Sequence, residues 1–215
     1  MWAAGVGAVV LVAGAVVVGS TRLLQRPSPA PGDLSYVAAT TPRFAIGAAA
    51  VSAAAGLCAI ATLPCPLWLP WLGFAGIGVW LACVDVVTGY VPRLPSQSAA
   101  GIVLILVAAQ SAVEGSAAPL VRALTGGVGV WLFFASLWLV ARGAIGFGDV
   151  RFSLPWAMTA AAASWHHLLL AAVVGSVLAL LFGLWLRIRW GLRSFPYTPG
   201  LAAGLFAAAA LHAVW

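Results

Sequence analysis

The chain has 215 residues, of which 64% are hydrophobic and only 7% are charged, and its formal net charge is +6. A soluble domain carries about 25% charged residues, so this composition excludes a water-soluble enzyme, and it equally excludes a disordered or collagen-like chain. The composition predicts an all-α protein that crosses a membrane several times.

Apolar segments long enough to cross a bilayer recur along the chain. A membrane-spanning helix needs about 20 mostly apolar residues, and on that scale the sequence predicts about eight spans, at 2–19, 44–63, 67–84, 97–113, 123–141, 152–165, 167–186 and 199–215. The sixth is short and contains Pro155 near its start, where the first helical turn tolerates proline. We expect one membrane-embedded domain over 1–215, with a single long loop at 20–43.

All ten basic residues are arginines, and their distribution predicts the orientation in the membrane. The loops after predicted spans 1, 3, 5 and 7 hold nine of them, whereas the loops after spans 2, 4 and 6 hold only Arg122. Because short cytoplasmic loops are enriched in basic residues, the odd-numbered loops, including 20–43, are expected in the cytoplasm and both chain termini outside. The arginines are spread between apolar segments rather than clustered, so a nucleic-acid partner is not indicated.

Only four acidic residues are present, and two of them are predicted at the cytoplasmic boundary: Asp85 at the end of the third span and Asp149 at the start of the sixth. Each has a structural alternative, since Asp149 could cap a helix and Asp85 could form an Asx-turn. Both acids are predicted on the same side of the membrane, in a chain that has few acidic residues. This placement favours a functional pair. Two close carboxyl groups share a proton, so one can take a proton from water while the other donates one to the substrate.

Other chemical signals are weak. The three cysteines form no C-x-x-C pair, so packing is their expected role, and no G-x-S-x-G, H-E-x-x-H or P-loop pattern occurs. The sequence therefore predicts neither a metal nor a cofactor. Small residues such as Gly126, Gly127 and Gly129 are expected to let membrane helices pack closely.

Two motifs make the sequence resemble the type IV prepilin peptidases, a family of intramembrane aspartyl proteases. Asp85 is followed seven residues later by Pro92, and a G-x-G-D motif ends at Asp149; the stretch FPYTPG before the last predicted span is a weaker third likeness. The similarity covers roughly residues 70–200. It implies that Asp85 and Asp149 form the catalytic dyad, and that neighbouring motif residues shape the site or contact substrate, namely Gly146, Gly148, Arg151 and Pro92.

The resemblance also implies a biological setting. It predicts a membrane aspartyl endopeptidase of the bacterial inner membrane that cleaves the leader of a prepilin or pseudopilin on the cytoplasmic side. The loop at 20–43 has none of the paired C-x-x-C motifs that accompany N-methyltransferase activity in many members, so neither zinc nor S-adenosylmethionine is expected. Arg151 stands where the family usually has Lys, and Arg93 where it usually has Asn or Asp.

Three alternatives stay open. A G-x-G-D protease that acts on other single-pass helices usually carries Tyr before the first Asp, where this chain has Val84. An ion transporter would place its acids nearer the middle of the bilayer, in broken helices. A degenerate, non-catalytic scaffold of a pilus or secretion system is compatible with Arg93.

Overall fold

The structure is a computed structural model that describes residues 38–141, 146–191 and 196–212, and these residues form helices without any strand. In chain order the helices are α1 Pro42–Thr62, α2 Trp68–Thr88, α3 Arg93–Glu114, α4 Ala118–Ala141, α5 Phe147–Ala163, α6 Trp165–Trp190 and α7 Thr198–His212. The all-α prediction is confirmed for this part of the chain. The predicted span at 2–19 and most of the loop at 20–43 lie outside the described residues.

Five of the helices, α1, α2, α3, α4 and α6, are long and apolar enough to cross a membrane. Their best windows have mean hydropathies between 1.6 and 2.5, and they leave large apolar side chains on the surface, such as Leu139 at 68% and Ile188 at 77% exposure. Since so much exposed apolar surface requires an apolar surrounding, the chain is a multi-pass membrane protein. The predicted sixth and eighth spans correspond to the shorter helices α5 and α7, with 17 and 15 residues.

Helix α5 lies in the core of the bundle, because it packs against α2, α3, α4, α6 and α7. Its buried residues run from Val150 to Ala162 and include the large side chains of Phe152 and Trp156. The helix begins at Phe147, earlier than the sequence predicts, so the expectation that Pro155 falls in the first turn is wrong: Pro155 lies in the helix interior.

Helix ends follow from local sequence. Helix α1 begins with Pro42 after Thr41, whose hydroxyl accepts a hydrogen bond from the Phe44 N–H at 3.2 Å. Helices α2, α3 and α6 each end at a glycine with positive φ, at Gly89, Gly115 and Gly191, a backbone conformation that favours glycine at a helix C-terminus. The connections from α2 to α3 and from α3 to α4 are only three or four residues long, so these helices run antiparallel.

The end of α2 and the starts of α3, α5 and α7 lie together at one end of the bundle. The connection after α2 contacts the first turn of α5 through Val91 and Gly148, and the last turn of α2 contacts the start of α7 through Asp85 and Thr198. Arg93 and Arg151 lie at the same end, as the first residue of α3 and the fifth residue of α5. We call this end the arginine-rich end.

Small residues bring helices into close contact. A Cβ atom added at Gly126 of α4 would lie 2.6 Å from Ala161 of α5, and one at Gly127 would meet Met158. The predicted packing role is therefore supported for these two glycines. A Cβ atom added at Gly129 would have no neighbouring atom within 4 Å. In α6 and α7, Gly175 lies against Gly204 in the same way.

Arg122 joins α4 to the far end of α5. Its guanidinium donates from Nη2 to the carbonyl of Ala162 at 2.8 Å and from Nε to that of Ala161 at 3.2 Å. A helix leaves its last carbonyl groups without partners inside the helix. Arg122 therefore supplies donors to the C-terminal carbonyls of α5 at the end of the bundle opposite the arginine-rich end.

Helix α2 contains a π-helical segment at Phe74–Gly78, between Trp68–Gly73 and Val79–Thr88. The Phe74 side chain is fully buried and its ring lies 5.6 Å from that of Phe152 in α5 and 6.3 Å from that of Phe206 in α7. A π-helical turn rotates the residues that follow it relative to a regular helix. The segment thus helps to set the direction in which α2 presents Asp85.

Candidate active site

Asp85 lies in the last turn of α2, inside the helix rather than in a turn after it. Its side chain is only 4% exposed, and its Oδ2 accepts a hydrogen bond from the hydroxyl of Thr198 at 2.7 Å. The backbone N–H of Thr198 interacts with the same carboxylate. Because the first N–H groups of a helix lack partners inside it, Asp85 also satisfies the start of α7. The Asx-turn interpretation of Asp85 is not what the structure shows.

Asp149 lies in the first turn of α5, outside the five helices that are long enough to cross a membrane. The N-cap position belongs to Gly146, so Asp149 is the third residue of the helix and not its cap. Its backbone N–H donates to the Gly146 carbonyl at 3.1 Å, and the Gly146 N–H interacts with the Asp149 carboxylate. This reciprocal pattern resembles a capping box. A structural contribution of Asp149 to the start of α5 is therefore real.

The two carboxyl groups lie at the same end of the bundle and within electrostatic reach of each other. Burial, together with the neighbouring charge of Asp85, raises the pKa of Asp149 to about 7, and the interaction with Gly146 opposes part of that change. The negative charge on one acid therefore opposes ionisation of the other. At neutral pH the pair can hold one proton, and one member can then act as an acid while the other acts as a base.

Gly148 holds the first turn of α5 against the connection between α2 and α3. A Cβ atom at position 148 would lie 3.0 Å from the Cβ and 3.2 Å from the Cγ2 of Val91. The absence of a side chain at position 148 leaves room for this close approach. Gly146, by contrast, has a negative φ of −70° and serves as an N-cap with no positive-φ requirement. Gly148 therefore helps to position Asp149 by docking α5 against the segment that follows Asp85, whereas Gly146 caps the start of α5.

Arg151 points away from the acids. Its Nη1 donates to the Val91 carbonyl at 3.4 Å, and its guanidinium carbon lies 4.9 Å from the centre of the Phe147 ring. Successive residues of an α-helix are turned by about 100°, so the side chains of Arg151 and Asp149 leave α5 on nearly opposite sides. The residue therefore fastens α5 to the connection between α2 and α3. Pro92 is the buried N-cap residue of α3 in that same connection.

Asp85 is recessed below the end of α6. Gly200 of α7 lies against Ala179 of α6, and because the two helices are antiparallel, Thr198 is level with position 181. Arg187 is six residues further along α6 than position 181. At 1.5 Å per residue, this is a distance of about 9 Å along the helix axis. Asp85, which Thr198 contacts, therefore lies about one and a half helical turns inside the bundle relative to Arg187.

Thr198 is the residue of this site that sequence reasoning misses. The stretch FPYTPG that contains it resembles a family motif only weakly, and a threonine in such a stretch has no chemical signal of its own. Its 113-residue separation from Asp85 places the contact beyond any local pattern. In the part of the chain that the structure describes, no group of three or more His, Cys, Asp or Glu residues could hold a metal ion.

The arrangement consists of two acids of different burial, a buried hydroxyl donor and a glycine that allows the two segments to meet. The structure brings Asp85, Asp149, Gly146 and Gly148 together. Arg151 and Pro92 lie at the connection between α2 and α3 and form no hydrogen bond with the acids. The catalytic roles given to these residues stay predictions. No family model, no curated protein and no solved structure matches this chain.

Proposed function

We propose that this protein is a membrane aspartyl endopeptidase of the prepilin peptidase type, with Asp85 and Asp149 as its catalytic dyad. The observation that carries the proposal is that α2 and α5 bring the carboxyl groups of Asp85 and Asp149 to one end of the bundle, near enough for their charges to interact, in a chain with only four acidic residues. In a dyad of this kind one carboxyl group keeps the proton that both would otherwise lose at neutral pH.

Asp149 is the member that we assign as the acid, because its pKa of about 7 leaves it partly protonated at neutral pH. Asp85 is the base, and since Thr198 donates to its Oδ2, its Oδ1 accepts a proton from the attacking water. The water oxygen bonds to the scissile carbonyl carbon as Asp149 donates its proton to the carbonyl oxygen. Collapse of the tetrahedral intermediate then breaks the C–N bond: the proton held by Asp85 passes to the leaving amine, and a hydroxyl of the intermediate returns a proton to Asp149 as the carboxyl product forms.

The substrate class rests on the resemblance of the two acid motifs. It is a prepilin or pseudopilin, cut just before its hydrophobic helix. The arginine-rich end would face the cytoplasm of a bacterial inner membrane, because short cytoplasmic loops are enriched in arginine. Basic loops do not attract a basic leader, because like charges repel. Recognition would therefore come from packing of the apolar substrate helix against the bundle and from binding of the leader by anionic lipid headgroups.

The test is processing of a co-expressed prepilin, followed by the change in gel mobility. Asp85→Asn and Asp149→Asn, singly, should abolish processing while the protein still inserts, because each removes one titrating carboxyl group. Glu114→Gln, at the opposite end of α3, is the matched loss of one carboxylate and should process normally. Full processing by either Asp variant refutes the dyad, and absence of processing by the unmutated protein would support a degenerate scaffold.

A structural role for Asp85 is the second candidate, favoured by its contacts with the start of α7. The Asn substitution separates the two roles, since the amide oxygen still accepts from Thr198 but cannot take a proton from water. If Asp85 serves only the fold, Asp85→Asn retains processing and Asp85→Ala loses thermal stability. If Asp85 is catalytic, Asp85→Asn loses processing with little change in thermal stability.

A further inference from the structure

A groove of about 590 Å³ opens between α3, α4 and α5 at the arginine-rich end. It lies on the side of α5 away from the acids: Arg151 and Leu154, which line it, are turned about 200° and 140° from Asp149 around the helix axis. The groove is therefore distinct from the dyad.

The outer part of the groove is cationic. Arg93 at the start of α3 and Arg151 near the start of α5 line it, together with Gln97 of α3. Within residues 38–141, 146–191 and 196–212, neither guanidinium forms a salt bridge; Arg151 contacts only a carbonyl and an aromatic ring. Two guanidinium groups that face one groove without a carboxylate provide a binding site for an anion that accepts several hydrogen bonds, such as a phosphate group.

The inner part of the groove is apolar. Ala100 lies seven residues deeper along α3 than Arg93, about 10 Å at 1.5 Å per residue, and Trp131 and Leu154 continue the wall. On α4 the neighbouring side chains of Val128 and Leu132 are 48% and 54% exposed, so the groove borders the apolar outer surface of the bundle. Its polarity thus changes from cationic at the bundle end to apolar towards the middle.

We propose that this groove binds one anionic phospholipid, with its phosphate group between Arg93 and Arg151 and an acyl chain along Ala100, Trp131 and Leu154. A free phosphate ion would occupy only the cationic outer half of the groove. A phospholipid would fill both halves, with its headgroup in the cationic half and its acyl chain in the apolar half. The inference goes beyond the proposed peptidase activity and does not depend on it.

The experiment is native mass spectrometry of the full-length protein in detergent, with an equimolar mixture of phosphatidylglycerol and phosphatidylcholine. The unmutated protein should retain phosphatidylglycerol preferentially. Gln97→Glu places a negative charge in the groove and should weaken that retention about fivefold, in line with the weight of one charge near an anionic lipid. Ser98→Glu is the matched control: it adds the same charge at an exposed neighbouring position of α3 that does not line the groove.

A second variant pair and a competitor complete the test. Arg93→Gln combined with Arg151→Gln should abolish the preference, whereas Arg189→Gln, at the end of α6, should preserve it. Equal losses in Gln97→Glu and Ser98→Glu would show a general surface-charge effect and overturn the proposal. Equal retention of the two lipids would also overturn it, as would displacement of phosphatidylglycerol by millimolar inorganic phosphate, which would identify a site for the ion alone.

Discussion

The hydroxyl of Thr198 donates a 2.7 Å hydrogen bond to Oδ2 of Asp85, and both side chains are buried. This bond joins the last turn of α2 to the first residue of α7. It fixes the position of one oxygen of the carboxylate. The relation makes Thr198 a positioning residue for the proposed base.

Replacing Thr198 tests that role. Thr198→Val keeps the shape but removes the donor, which should lower stability by about 1–3 kcal/mol because a buried acceptor loses its partner. Misplacement of the carboxylate should also lower the rate of prepilin cleavage, by on the order of tenfold to a hundredfold. Thermal melting and a cleavage time course measure the two effects. Thr198→Ser should restore both, and if it fails to restore cleavage, the hydroxyl is not the group that matters.

Substitution of Gly148 tests how α5 packs against the connection between α2 and α3. Gly148→Ala places a Cβ 3.0 Å from that of Val91, and overpacking of this kind costs about 1–3 kcal/mol. We expect lower thermal stability and slower cleavage, since the first turn of α5 carries Asp149. Gly101→Ala in α3 is the matched control: no atom lies within 4 Å of its new Cβ, so it should stabilise the helix by up to about 1 kcal/mol.

Val91→Ala combined with Gly148→Ala should recover part of the loss, because it removes the Cγ2 contact at 3.2 Å. The double variant is compared with both single variants by thermal melting. Strictly additive losses would mean that the two side chains do not interact, and the docking contact would then be wrong.

Arg122 tests the far end of α5. Arg122→Gln removes the charged donors from the carbonyls of Ala161 and Ala162 and should lower stability by about 1.5–3 kcal/mol. Arg122→Lys keeps the charge but not the planar fork of donors, so its melting temperature should fall between those of Arg122→Gln and the unmutated protein. Arg189→Gln removes an exposed arginine and should leave the melting temperature nearly unchanged. A melting temperature for Arg122→Lys as low as that of Arg122→Gln would show that the positive charge at position 122 does not contribute to stability.

The pKa of Asp149 predicts how stability changes with pH. The folded protein raises this pKa from 3.8 to about 7, so the folded state binds more protons than the unfolded state between these two values. Its contribution to stability is therefore complete below about pH 4 and is lost as the pH rises to about 7. Asp149→Asn should melt at a higher temperature than the unmutated protein at pH 8, with a much smaller difference at pH 4. Equal differences at the two pH values would contradict the raised pKa.

The same ionisation predicts the basic limb of the activity profile. In the proposed dyad, ionisation of Asp149 near pH 7 removes the acid, so the cleavage rate should fall as the pH rises through about 7. The measurement is the initial rate of prepilin cleavage by the purified protein between pH 5 and pH 9. A rate that stays constant across this range would exclude Asp149 as the acid.

Hydropathy and charge along the sequence predict much of the architecture. Five of the predicted spans match long apolar helices, because transfer from water to lipid depends on local composition, which a sequence displays directly. The placement of Asp85 and Asp149 at one end of the bundle follows from the same alternation of spans. The early start of α5 is not predicted, because its first turn combines glycines with charged residues and resembles a loop.

Composition and hydropathy are enough to predict a multi-pass helical membrane protein in which one acid ends a helix and another begins a helix on the same side. The contacts between Thr198 and Asp85 and between Gly148 and Val91, and the direction in which Arg151 leaves α5, become visible in the packed bundle. They cannot be predicted from hydropathy because lipid is as apolar as a leucine side chain, so hydropathy does not encode which helix face meets which partner. Close packing and hydrogen bonds between distant segments make that choice, and they exist only once the helices have assembled.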